Sequence, residues 1–122
     1  MTAAIDLLPT VLKLLSGIGE LRTRKMFGGT YIYSDGLFIA TLREDTLYFK
    51  ANIGTAQEFI KRGLRPFSYL KQGSVATLQY YEAPAEVFGS SAAMKRWARL
   101  AQTAARQDAA SKKRRHRKVG AK

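Results

Sequence analysis

No cysteine occurs in the 122 residues, which excludes disulfides, thiolate nucleophiles, iron–sulfur clusters and cysteine-ligated zinc. Its absence also fits a reducing compartment, and a cytoplasmic protein is the expectation. There is one histidine, His116, set inside the run KKRRHRK. A Ser-His-Asp triad or a histidine metal site needs that ring held in place, and a self-repelling run does not hold it, so neither metal nor cofactor is expected. A Walker A segment is lacking, and the single Gly28-Gly29 pair does not follow the dinucleotide-binding pattern. No apolar run approaches the ~20 residues of a membrane span. MTAAIDLLPTVLKLL has no basic n-region or cleavage site, so a signal peptide is not expected there.

Acid is scarce. Nine Asp and Glu stand against 21 Lys and Arg, for a net charge of +12. The last eleven residues carry seven of those cations and no acid, leaving +5 on residues 1–111. The expected organisation is one domain over 1–110, with 111–122 a basic, disordered tail.

What is present reads as a meander of strands with helices around it. Ile5, Leu8, Leu12 and Leu15 recur at helical spacing, and Pro9 fits best in the first turn of a helix that starts near Asp6–Leu8. From Lys25 to Gly36, KMFGGTYIYSDG predicts a strand that bends at the glycines and folds back at Asp35-Gly36, a favoured hairpin turn. Leu37–Arg43 alternates, with Phe38, Ala40 and Leu42 expected on one face and Ile39 and Thr41 on the other. Glu44-Asp45 turns into Thr46–Lys50. Thr55 and Glu58 suit a capping box that opens a helix burying Ala56, Phe59 and Ile60, with Gly63 ending it. Phe67–Lys71 and Val75–Glu82 are two further strands joined at Gln72-Gly73. Ser90 or Ser91 caps a last helix running to about Ala109, with Ala93, Trp97, Leu100, Ala101 and Ala104 as its apolar stripe. The order α-β-β-β-β-α-β-β-α implies an α+β fold of two layers, an antiparallel sheet with its helices packed on one face.

Several segments carry a resemblance. Arg24-Lys25-Met26-Phe27-Gly28-Gly29 with Asp35-Gly36, then Asp45–Ala51, Gly63–Phe67, Tyr80–Pro84 and a helix around Trp97-Ala98 follow one another as in the N-terminal domain of the TfoX (Sxy) family. The likeness spans roughly residues 5–107. It implies the same two-layer α+β arrangement, of a type shared with some secretion chaperones. It further implies a role in regulating bacterial natural competence beside a transcription activator rather than by catalysis. Longer members add a helical C-terminal domain; here the basic tail follows instead. The shared motifs look like turns and core, so the resemblance transfers no site residues.

Among the carboxylates, Asp35, Glu44, Asp45 and Glu58 have structural uses. Glu82, near Tyr80-Tyr81, reads as a solvated strand-end carboxylate or as a perturbed acid. All six tyrosines fall on strands, where such rings can stack bases or fill cross-strand pairs. Tyr31, Tyr33 and Tyr48 are the candidates for a partner or self-association surface on a helix-free sheet face. Lys95, Arg99 and Arg106 share one helix face, and it runs into Lys112, Lys113, Arg114, Arg115, Arg117 and Lys118. This set is the candidate nucleic-acid site, binding DNA or RNA without sequence preference, and improved solubility is the alternative use of the tail. Arg22, Arg24 and Lys25 read as a sheet rim. The function expected is a non-enzymatic regulatory or adaptor module that binds a protein partner, with no membrane association. The alternative is a dimeric, chaperone-like peptide-binding module.

Overall fold

In the computed structural model, the backbone of residues 7–120 and the side chains of residues 7–111 are described. Helix α1 (Leu8–Leu14) is followed by strands β1 (Leu21–Met26), β2 (Gly29–Ser34), β3 (Leu37–Arg43) and β4 (Thr46–Lys50). Helix α2 (Ile53–Lys61), strands β5 (Pro66–Lys71) and β6 (Ser74–Glu82), a 3₁₀ turn (Ala85–Gly89) and helix α3 (Ser91–Gly120) complete the described residues. The six strands form one sheet in the order β1-β2-β3-β4-β6-β5, every pairing antiparallel. The expected α+β class and element order hold.

Local chemistry explains most boundaries. Pro9 falls in the first turn of α1, where its missing N–H costs nothing. Four hairpins close through two-residue turns. Three of them, at Phe27-Gly28, Asp35-Gly36 and Gln72-Gly73, have positive φ at both central residues. That is the turn whose twist matches paired strands. The glycine pair therefore does not bend one strand: Phe27-Gly28 is itself a hairpin turn and Gly29 opens β2.

Three side-chain expectations change. The register of β2 against β3 shifts between Ile32 and Tyr33, which makes Ile39 an extra residue. This bulge sends Ile39 and Ala40 together into the core and turns Phe38 to the opposite face. The cap of α2 is Asn52, not Thr55. Asn52 Oδ1 accepts from Thr55 N at 2.9 Å, and Asn52 N donates to Thr55 Oγ1 at 3.0 Å. Asn is the stronger cap and Thr55 completes the reciprocal pair. Glu58 instead faces Lys61 at 3.8 Å. Ile60, expected in the core, is 51% exposed, while Ala56 and Phe59 are buried.

All three helices cover one face of the sheet. α3 lies over β3 and β4 through Met94, Trp97, Ala98, Ala101 and Ala104, and the small alanines let its backbone come close. Ser90 caps it, its Oγ accepting from Ala93 N at 3.1 Å. Phe59 joins the layers, 5.0 Å from the Trp97 ring and stacked on Tyr81 at 5.4 Å. A buried polar knot fixes the N-terminal loop. Gln102 Nε2 donates to Ile18 O at 2.7 Å and to Ser34 Oγ at 3.0 Å, and Ser34 Oγ donates to Ile18 O at 3.1 Å. Arg62 holds Glu86 through two bonds of 2.8 and 2.6 Å, its guanidinium 5.6 Å above Trp97. That bidentate pair holds the Glu86 carboxyl below its ordinary value.

α3 is longer than the apolar stripe suggests. No Gly or Pro follows Ala109 until Gly120, and Lys and Arg are good helix formers, so the backbone stays helical to that glycine. Among the described residues, no helix is long and apolar enough to cross a membrane.

Candidate functional site

With the helices gathered on one side, the strand register, bulges included, places Tyr31, Tyr33, Phe38, Thr41, Arg43, Tyr48, Phe67, Tyr69 and Tyr80 on the other. Their rings form a continuous run across five strands. Tyr31 and Tyr33 lie 5.1 and 6.0 Å from Phe38, and Phe38 lies 5.2 Å edge-on to Tyr80. Tyr80 is 6.4 Å from Phe67, which in turn lies 5.4 Å from Tyr48 and 6.2 Å from Tyr69. Phe27 reaches in from its turn to Tyr31 at 6.4 Å and is 78% exposed. The structure thus brings Tyr31, Tyr33 and Tyr48 onto one face. Most of these rings are half-buried against one another, so each fills a cross-strand pair and still presents an edge to solvent.

Arg43 organises this face. Its guanidinium sits 4.9 Å above the Phe67 ring and donates to the Phe27 carbonyl, tying β5 to the β1–β2 turn. Gly29 makes room for it: a Cβ there would lie 2.9 Å from Arg43 Cγ and 3.1 Å from Thr41 Oγ1. Thr41, between Tyr31 and Tyr48 in register, is buried, and its hydroxyl has no hydrogen-bond partner among the described residues. Burial raises the Tyr80 phenol above its ordinary value, helped by Tyr31 and Tyr33 and opposed by Arg43. Burial likewise raises Tyr48, with Glu82 adding to the effect and Arg43 and Arg65 opposing it. Glu82 pairs with Arg65 at 3.7 Å, so it is a partnered carboxylate beside Tyr48. Arg22 and Arg24 stand opposite Tyr33 and Tyr31 in register, which makes them a cationic margin to the aromatic face.

The other cationic candidates lie on the far side of the sheet. Arg99 and Arg106 are exposed on α3, and no carboxylate pairs with either among the described residues. Lys95 is half-buried, its Nζ 3.5 Å from where a Cβ on Gly17 would be. Side chains of Lys112, Lys113, Arg114, Arg115, Arg117 and Lys118 lie outside the described residues. Periodicity missed Phe38, Phe67, Tyr80 and Arg43. Phe38 changes face through a bulge, Phe67 and Tyr80 join through pairings distant in sequence, and Arg43 through its contacts with Phe27 and Phe67. No group of three or more His, Cys, Asp or Glu that could hold a metal occurs among the described residues. The open recess of about 480 Å³ beside the Phe27 turn is lined by Lys25, Met26, Thr30, Leu42 and Glu44, a single carboxylate.

The segments that are alike in sequence now have places. Lys25–Gly29 is the turn bonded to Arg43, Asp45–Ala51 is β4 with its turn, Tyr80–Pro84 ends β6, and Trp97 is the core of α3. No curated protein matches the chain. The family described as TfoX N-terminal domain matches residues 13–105, from within α1 to the last buried turn of α3. By that match the chain belongs to the TfoX N-terminal domain family.

Proposed function

We propose that this protein is a non-enzymatic, cytoplasmic regulatory adaptor. The aromatic sheet face binds a protein partner, and the basic side of α3 with the segment after it holds nucleic acid without reading its sequence. Family membership supports the regulatory, competence-related role, with a transcription activator as the partner class. One observation carries the adaptor reading: the aromatic face and the unpaired Arg99 and Arg106 occupy opposite sides of one sheet, so two ligands can bind together without competing. Aromatic rings with an arginine margin suit an apolar partner segment bearing acids.

Phe27 supplies the test. It holds φ 50 at 78% exposure, a conformation a bulky residue adopts at a cost, so contact rather than folding accounts for it. Phe27→Asn suits the turn better and is expected to raise stability by about 0.5–1 kcal/mol while removing the partner recovered by crosslinking at native expression. Equal recovery by the variant overturns the assignment of this face. For the second ligand, a short DNA or RNA duplex is titrated across a salt series with the full chain and with a chain ending at Ala110. The full chain is expected to show a log–log slope of about −5 if six cations meet phosphates, and the shortened chain a much shallower one. An unchanged slope moves the nucleic-acid site off the extension.

A further inference from the structure

The two edges of the sheet are built differently. β1 carries Arg22, Arg24 and Lys25 within six residues, all exposed, and charges of this kind keep an edge from pairing with another chain. β5 at the other edge reads Pro-Phe-Ser-Tyr-Leu-Lys, with one cation at its end. Ser68, Tyr69, Leu70 and Lys71 are exposed, and no strand covers the outer side of β5 among the described residues.

The β5–β6 hairpin also stands out from the body. β4 pairs with β6 only over Tyr80–Glu82, so most of Ser74–Gln79 has β5 as its sole strand neighbour. Beyond that, Ala51 N donates to Gln79 O at 2.8 Å. A two-stranded ribbon is marginal in water by itself. This one nevertheless exposes Leu70 at 76%, its register partner Val75 at 71%, and Tyr69 and Leu78 at 39% and 36%. Lys71 is the single charge between Phe67 and Gln79, in a protein of net charge +12. The arm is therefore the apolar, near-neutral surface on which two such cations can approach without opposing their charges.

We propose that the protein forms a homodimer in which β5 pairs antiparallel with β5 of a second copy. The two sheets join into one of twelve strands about a two-fold axis at Tyr69, which sets Tyr69 against its own copy and Ser68 against Leu70 of the other. Pairing β1 with β1 would set three cations against three, and pairing β5 with β1 of the next copy would leave open ends that grow into fibres. The β5 pair closes. An axis normal to the sheet keeps each face on its own side, so Phe67 and Tyr69 of both copies meet and the aromatic surface becomes continuous across the dimer. Leu70 and Val75 of both copies gather on the opposite side. The dimer does not depend on the function proposed above, because neither Phe27 nor the basic segment takes part.

The test uses the full chain. Sedimentation across a concentration series is expected to show a monomer–dimer equilibrium. Ser68→Lys sets two cations diagonally across the axis, each opposite Leu70 of the other copy, and is expected to raise the dissociation constant at least about tenfold, with circular dichroism confirming the fold. Because the chain has no cysteine, Tyr69→Cys gives a second readout. Mild oxidation is expected to link Tyr69→Cys copies into dimers and to leave the edge control Thr23→Cys monomeric. A strict monomer at every concentration overturns the proposal, including one whose β5 amides gain protection only when a foreign protein is added. A folded Ser68→Lys protein that dimerises unchanged does so too, as does equal linking of the two cysteine variants.

Discussion

At Gly29 the requirement is space, not conformation. Its φ is not positive, unlike that of Gly28 at 77°, yet the Arg43 side chain crosses directly over it. An alanine there must push on Arg43 Cγ at 2.9 Å, close to the backbone end of that side chain, so rotation of the guanidinium alone does not relieve the contact. Gly29→Ala is expected to cost about 1–3 kcal/mol in urea unfolding, and distinctly less when introduced into an Arg43→Ala protein. Equal costs in the two backgrounds would mean that the glycine serves something other than the arginine. The sequence motif Lys25–Gly29 is thus half turn and half clearance: Phe27-Gly28 reverses the chain, and Gly29 lets a residue sixteen positions from Phe27 reach back to bond it.

Among the elements, α2 shows where local pattern misleads. Thr55 and Glu58 have the spacing of a capping box, but Asn52 and Thr55 have it as well, and the helix takes the earlier pair because Asn52 also reaches Gln107 Oε1 at 2.8 Å on α3. Asn52→Ala is expected to lower stability by about 1 kcal/mol or more in urea unfolding, and Glu58→Ala to stay within about 0.5 kcal/mol of the parent. The reverse ranking would restore Thr55 as the cap. Turns fared better than caps in the sequence, because Asp35-Gly36 and Gln72-Gly73 state their backbone conformation in two residues. The aromatic face was legible only as separate tyrosines. Phe38 belongs to it through a bulge that alternation does not announce, and Phe67 and Tyr80 through β6 entering beside β4 after a helix and a strand have intervened. The place where α3 ends was hidden for a different reason, since apolar periodicity stops at the last buried alanine while helical backbone does not.

For the molecule as a whole, the raised phenols fix its behaviour in base. Tyr48 and Tyr80 ionise above the value they have in the unfolded chain, so their contribution is complete below pH about 10 and is lost as the pH climbs through their folded values. Melting temperature is expected to fall above that pH, and Tyr80→Phe to soften the fall. An alkaline limb unaltered by Tyr80→Phe would place the loss elsewhere. The division of labour between layers also sets an order of assembly. The first four strands are linked by two-residue turns and can find their register from neighbours alone, as hairpins do within microseconds. Ile32, Ile39, Leu47 and Phe49 then wait for Met94, Trp97 and Ala98, which leave the ribosome some forty or more residues later. Throughout that interval the nascent meander carries a bare greasy side, and a chaperone that engages this chain during translation would find its grip there until α3 arrives to displace it.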